Sequence, residues 1–433
     1  MNKKVLIING WSDLNAGDSG IVMAMIDNIR KKINNCNITI LSELSKENEY
    51  YESSIDMIRK YYSDINLIGA PFYKKYNNSI ISRCREVISF IKCIILSILP
   101  SKLVKIFINN KDYYKSIIEA DIILSKGGHF FHTNSSLHGF VHIFKCSYPM
   151  IIAKKFNKKY FMIGQSYGPI YRKGLLSKIT YNISKNIIES AKGVSVREQK
   201  SYDYLKNNHF NMTNINITSD YAFILKSDRE LNVPELNNIL KKGKFIVITI
   251  RQHVFNSLNG ESEYLNTINE IAKAIVMKYN YNVVFVPHVQ GPNPFENDKC
   301  IINKFKDIYG NNKKYFFTTG YYSAKTLKKF YGYATMLIGT RFHSVIFALG
   351  ENVPSFAISY SGYKSTIIEQ FDMKKFMIDI NDVNKQNFDK MLELIFELID
   401  KNDEYRKLIK RKFVDVNNLI SNDKAFNNIN AKI

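Results

Sequence analysis

Material for a disulfide framework is what this chain most lacks. Its five cysteines, Cys36, Cys84, Cys93, Cys146 and Cys300, are odd in number and contain no C-x-x-C pair. That usage fits a reducing, cytoplasmic compartment better than a stapled secreted fold. Membrane-length apolar runs are missing too. The most apolar segment, "VISFIKCIILSILPSKLVKIFI" at 87–108, is interrupted by Lys92 and broken by Pro100, short of the roughly 20 residues that span a bilayer. Two readings remain for it: a buried helix pair, or an interfacial helix holding the protein near lipid-linked substrate. The opening "MNKKVLIING" enters a strand at once, too short an apolar run for a signal peptide and without a small-residue cleavage site. No run of five basic residues and no basic helix interleaved with stacking aromatics occurs, so nucleic acid is not an expected partner. There is no G-x-G-x-x-G, no G-x-x-x-x-G-K-[ST] and no short fixed repeat, so dinucleotide, P-loop and solenoid readings have no support.

What is present is apolar mass and positive charge. The 433 residues are 45% hydrophobic and 13% aromatic, enough to build two cores. The formal charge of +22 favours acidic partners in general, but the lysines are scattered among asparagine and isoleucine. Charge alone therefore selects no ligand.

Apolar runs alternate with helical spacers along the chain. "KVLIING" reads as a strand buried on both faces; after it Ile21, Met25, Ile29 and Ile33 recur every four residues, and "NITIL" returns as a strand. The pattern continues through "DIILSKGG", "YFMIGQSYGP" and "GVSVREQKSYDYL". It lapses over 225–244 and resumes with "KFIVITIRQH", "YNVVFVPHV", "KYFFTTG", "TMLIGTRFHS", "VPSFAIS" and "KFMIDI", before amphipathic helices from about Asn384. We expect an α/β protein of two Rossmann-like domains facing a central cleft, 1–228 with an apolar helical insertion at about 70–115, and 229–433 with the C-terminal helices. In such sheets ligands collect beyond the carboxyl ends of strands.

Polar residues sit at those ends. Asn15, Gly17 and Asp18 follow the first strand, Gly127 and Gly128 follow "DIILSK", and Gln165 follows "YFMIG". Arg251 and His253 end one strand of the second series, His288 another, and Arg341 and His343 follow "MLIGT". Each has a plain alternative. Asp18 could cap a helix, the glycine pair could be an ordinary turn, and Arg251 could be a surface arginine. His138 and His142 are read as helix-face residues, since no cysteine or carboxylate at ligand spacing completes a zinc site and Cys146 alone is near; His129 and His132, beside the glycines, are better cleft candidates. Arg341, before the apolar helix "VIFALG", reads either as a structural salt bridge or as an anion site made by a guanidinium at a helix N-terminus.

Six pieces occur together in order: "NAGD" at 15–18, "GG" at 127–128, "GQSYGP" at 164–169, "VREQKSYDYL" at 196–205, "SDYAF" at 219–223 and "RFHS" at 341–344. Taken together they resemble the polysaccharide pyruvyl transferase family. The resemblance implies a GT-B-like fold and transfer of pyruvate from phosphoenolpyruvate to a sugar diol of a glycan or lipid-linked precursor, giving a cyclic ketal. It places Arg341 and His343 at the donor site and maps a second donor arginine onto Arg251. The expected site then has His343, Arg341 and Asp18 as catalytic residues. Arg251, His288, Ser344, Gly127 and Gly128 join Arg341 and His343 around the donor, and His129, His132, Gln165 and Asn15 meet the acceptor. No metal or cofactor is expected, and a peripheral membrane contact is. The competing expectations are a GT-B glycosyltransferase using a nucleotide sugar, and a non-catalytic glycan- or membrane-binding protein.

Overall fold

The computed structural model describes residues 2–73, 79–108, 111–292, 294–360 and 366–429. Its helices and strands fall into two compact units, each a parallel sheet dressed with helices. The first series runs β1 (Lys3–Gly10), α1 (Ala16–Lys32), β2 (Cys36–Ser42), α2 (Asp56–Tyr61), β3 (Asn66–Ile68), α3 (Ile80–Ile98), α4 (Ser101–Ile108) and α5 (Asp112–Glu119). It continues with β4 (Ile122–Ser125), β5 (Gly128–Phe131), α6 (Leu137–Lys155), β6 (Tyr160–Tyr167), α7 (Leu175–Ser190), β7 (Gly193–Val196), α8 (Gln199–Asn207) and β8 (Ile215–Ile217). Sheet order is β3-β2-β1-β4-β6-β7-β8, with β5 paired to β6.

The second series runs α9 (Pro234–Leu240), β9 (Phe245–Thr249), α10 (Gly260–Tyr279), β10 (Asn282–Phe285), α11 (Asp298–Tyr309), β11 (Tyr315–Phe317), α12 (Ala324–Gly332), β12 (Leu337–Gly339) and α13 (Phe342–Gly350). Then come β13 (Ser355–Ser359), α14 (Thr366–Glu369), β14 (Met377–Asp379), α15 (Phe388–Asp400), α16 (Asn402–Ser421) and α17 (Lys424–Asn427). This sheet is ordered β11-β10-β9-β12-β13-β14. Both sheets thus reverse direction beside their first strand, between β1 and β4 and between β9 and β12, the doubly wound arrangement in which ligands bind at the reversal point. The strands are mainly apolar because helices cover both faces; β4, β6, β7, β9 and β10 are buried at every position.

The division differs from the 228/229 boundary expected from sequence. The first unit comprises 1–13, 21–221 and 419–433, the second 14–20 and 222–418. Side-chain chemistry explains each departure. Buried Lys328 donates to the carbonyls of Phe223 (2.6 Å) and Leu225 (2.8 Å), which fastens the turn after Tyr221 to the second unit. Buried Asp423 accepts from Ser195 Oγ at 2.6 Å and Tyr221 OH at 3.1 Å, which draws the last helix back to the first. Residues 14–20 join the second unit through backbone pairing: Gln290 N–H donates to Leu14 (2.7 Å) and Ala16 N–H to His288 (3.2 Å).

Three of the six ordered motifs meet inside the first unit. Arg197 donates to Asp220 Oδ2 at 2.5 Å and to Ser166 Oγ at 2.7 Å, and Ser166 donates to Glu198 at 2.9 Å, all four side chains being buried. Their chemistry is spent on holding β6, β7 and the chain after β8 together.

Candidate active site on the second unit

The carboxyl ends of β10, β9 and β12 are neighbours in one parallel sheet, so the residues that follow them share one edge. Arg251 leaves β9, His288 leaves β10, and Arg341 and His343 leave β12. Arg341 occupies the N-cap position of α13 with extended backbone (φ −90°, ψ 118°), and His343 lies in that helix's first turn. His288 packs against the same helix through Phe347, ring centroids 5.2 Å apart.

Arg341 is only 6% exposed and faces Asp298, which is fully buried. Its Nε and Nη2 donate to Asp298 Oδ1 at 2.9 and 2.5 Å, while Asp298 Oδ2 accepts the backbone N–H groups of His288 (3.1 Å) and Val289 (2.9 Å). Burial pushes the Asp298 carboxyl up, against the pull of Arg341 and those two amides. Every approach to its oxygens carries a donor, so it acts as an ionised acceptor. The salt-bridge alternative for Arg341 is therefore a feature of the structure, made with a residue the sequence did not single out. "ENDKC" reads as an ordinary helix start, with Asn297 capping α11, and gives no sign of a partner 43 positions on.

Arg251 stacks over the Tyr360 ring with its guanidinium carbon 3.7 Å from the centroid. Burial holds its pKa below the usual arginine value, Tyr360 opposes this, and the Arg341 charge lowers it further. The carboxylates of Asp298 and Glu296 act favourably on both arginines. Two guanidiniums close enough to repel are stabilised by an anion that meets both.

His288 is 2% exposed; its Nδ1 lies 3.2 Å from Tyr331 OH, and its Nε2 makes no hydrogen bond among the described residues. Burial, then the charges of His343 and Arg341, push its pKa well below 6.5, so the ring is neutral. The folded value lies below the unfolded one, so this group's contribution to stability is complete above the unfolded pKa and is lost progressively as pH falls from there through the folded value. Between about pH 7.5 and about pH 5.5 it should add a slope approaching about 1.4 kcal/mol per pH unit on the acid side. His288→Gln should remove that component from urea-unfolding midpoints; an unchanged slope in the variant would show that other groups produce it.

Gly17 explains why "NAGD" belongs beside these residues. A β-carbon at Gly17 would lie 2.2 Å from Nδ1 of His343 and 2.4 Å from its Cγ, so the helix start and the imidazole touch directly. Asn15, not Asp18, is the cap: its Oδ1 accepts from the N–H groups of Gly17 (3.1 Å) and Asp18 (3.3 Å). Asp18 stands in the first turn of α1, partly exposed. Ser344 is occupied internally, donating to the Arg341 carbonyl at 2.5 Å and sharing a 2.9 Å bond with Thr249. It fixes the turn that presents Arg341.

The remaining expected residues are built on the first unit. Gln165 is fully buried, its amide donating to Ser125 Oγ and the Lys126 carbonyl and accepting from Tyr167 OH; the core uses it, which corrects its assignment to an acceptor surface. A β-carbon at Gly127 would meet the Gly164 carbonyl at 2.8 Å, so that glycine is required by the close approach of β4 and β6. Gly128, at φ +147°, begins β5. His129 bonds the Gly168 carbonyl through Nε2 at 2.8 Å and packs against His132, rings tilted by 31° with centroids 4.3 Å apart. His132 is exposed. Among the described residues no three His, Cys, Asp or Glu side chains form a group able to hold a metal.

The profile of the family described as Polysaccharide pyruvyl transferase matches residues 15–362. The chain belongs to that family. It is similar to the amylovoran biosynthesis protein AmsJ of Erwinia amylovora, 21% identical over 402 residues and covering 87% of this chain and 88% of AmsJ. Its fold is GT-B-like. The putative UDP-N-acetylglucosamine 2-epimerase of Listeria monocytogenes superposes with TM-score 0.59 at 11% identity, over 94% of this chain and 91% of that one. The UDP-GlcNAc 2-epimerase of Neisseria meningitidis, bound to UDP-GlcNAc, gives 0.58 at 11% identity over 99% and 100%. As a member of the pyruvyl transferase family the chain is a transferase of polysaccharide biosynthesis. The family match spans residues 15–20, Arg251, His288 and the Arg341–Ser344 turn alike.

Proposed function

We propose that this enzyme transfers pyruvate from phosphoenolpyruvate to two hydroxyls of a sugar, on a glycan or its lipid-linked precursor, and needs no metal or cofactor. The observation that carries the reading is the gathering of Arg251, Arg341, His288 and His343 beyond three adjacent parallel strands. Phosphoenolpyruvate has a phosphate and a carboxylate on three carbons, which suits two forked cations. The relative AmsJ, named for amylovoran biosynthesis, agrees with a glycan acceptor.

In the proposed reaction the methylene carbon takes a proton and C2 becomes electrophilic. One sugar hydroxyl adds to C2; the second then displaces phosphate, closing the ketal. The two hydroxyl protons are accounted for by the new methyl group and the departing phosphate. His343 carries the proton, as an imidazole suits at neutral pH. Arg251 and Arg341 hold the phosphate and carboxylate, and stabilise the phosphate as it leaves. Neutral His288 offers a buried nitrogen to the donor rather than a third positive charge. The work is done in the cytoplasm.

Incubating the enzyme with phosphoenolpyruvate and candidate acceptors should release inorganic phosphate only when both are present. Phosphoenolpyruvate alone should raise the melting temperature through binding to the folded state. Stabilisation by nucleotide sugars, with no phosphate from phosphoenolpyruvate under any acceptor, would transfer the site to a glycosyltransferase.

A further inference from the structure

The apolar helices α3 and α4 are held to the first unit by one face and turn a second apolar face outward. On α3 only Ser82, Cys93 and Leu96 are buried; Phe90 secures the helix by packing on Phe140 (6.2 Å) and Phe144 (5.3 Å) of α6. Of the outward residues, Ile88, Ile91, Ile95 and Ile98 repeat every three or four positions, with Ile80 and Val87 exposed beside them; Ile88 is 65% and Ile98 76% exposed. On α4, Val104 and Ile108 point inward, while Leu103, Ile106 and Phe107 are exposed. A monomer seldom leaves so continuous an apolar surface to water. No described helix is long and apolar enough to cross a membrane, so this surface can lie on a bilayer but not span it.

We propose that α3 and α4 dock this protein on anionic lipid bilayers, the isoleucine stripe entering the headgroup boundary. Charge selects the occupant. Exposed Arg83, Arg85, Lys92, Lys102 and Lys105 flank the stripe, and Glu86 is the single acid on either helix. An apolar face bordered by cations is the composition of an interfacial helix, and each basic side chain near an anionic surface multiplies binding about five-fold. The stripe also neighbours the start of α6: Phe140 touches Phe90, and Leu137, one turn earlier, is 62% exposed and lies five residues beyond His132. If the acceptor is lipid-linked, a point that rests on the function proposed above, docking here brings the histidine-bearing loop to the same surface.

The full-length protein is floated with vesicles of phosphatidylcholine, with and without phosphatidylglycerol. It should rise with the anionic vesicles and release as salt increases. Ile88→Glu with Ile95→Glu, both at exposed positions, should reduce binding roughly ten-fold or more. Lys92→Gln with Lys102→Gln and Lys105→Gln should reduce it on anionic vesicles by about a hundred-fold. Both sets should keep the wild-type melting temperature and the wild-type phosphate release with a water-soluble acceptor. The docking reading can thus fail while the catalytic one stands, and the reverse. No flotation of the wild type, or flotation indifferent to both sets, would overturn it. So would sedimentation showing a dimer that Ile88→Glu with Ile95→Glu dissolves, since a second copy would then cover the face.

Discussion

Arg341→Ala should both destabilise the protein and abolish turnover. The sequence leaves Arg341 open between a structural salt bridge and an anion site; the structure shows the salt bridge with Asp298, so truncation must cost stability. Removing the guanidinium leaves Asp298, fully buried, with two backbone amides for its charge. Breaking one side of such a pair costs about 3–5 kcal/mol. Arg341→Lys keeps a charge but not the fork and should lose less stability, yet turnover should fall by about 10²–10³, the usual loss when one preorganised donor is missing. Replacing both partners, Arg341→Met with Asp298→Leu, should recover most of the stability, because a buried ion pair exchanged for apolar groups of similar volume is often neutral or better. It should recover no activity. Urea unfolding and phosphate release on these variants separate the two roles. A double variant that folds and turns over at the wild-type rate would leave Arg341 a structural residue only.

Gly17→Ala should act as a disguised His343 mutation. The new methyl group would occupy the place of the imidazole, 2.2 Å from Nδ1, so the ring must leave its position. A displacement of about 1 Å at a reacting group costs about 10² in rate, and His343→Ala should cost about 10²–10⁴ if the ring moves the proton. Stability should fall in Gly17→Ala, since the new methyl would also lie 2.6 Å from the His343 β-carbon, which no rotation of the ring relieves and which outweighs the gain of up to about 1 kcal/mol in helix propensity. The decisive comparison is a double-mutant cycle. In a His343→Gly background, which removes the ring and the β-carbon that Gly17 faces, Gly17→Ala should have almost no further effect on phosphate release. Independent, multiplying losses would mean that Gly17 matters for something other than His343.

Docking of residues 14–20 on the second unit also gives "NAGD" a purpose that does not depend on Asp18 chemistry. Asn15 caps α1 and its backbone lies antiparallel to Val289, so the helix start that carries Gly17 is fixed to the strand end that carries His288. A cap, a glycine and a histidine far apart in sequence form one small assembly.

The apolar runs and their polar terminators were enough to give two doubly wound sheets, the strand ends at which Arg251, His288, Arg341 and His343 stand, and the family. These are local signals: a strand covered on both faces must be apolar along its length, and the residue that ends it must be polar. What only the tertiary structure decided depends on pairings between distant positions. Asp298 looks like any residue at a helix start until the fold brings Arg341 to it. Gln165 looks like a ligand contact until Ser125, Lys126 and Tyr167 close around its amide. The apparent linker at 225–244 misplaced the boundary because Lys328 and Asp423, each unremarkable in sequence, bind the chain on either side of it. For α3 the composition was plain, but which of its two apolar faces meets the core was not. Periodicity reports that a face is apolar, and only packing against Phe140 and Phe144 shows which face is left for something else to cover.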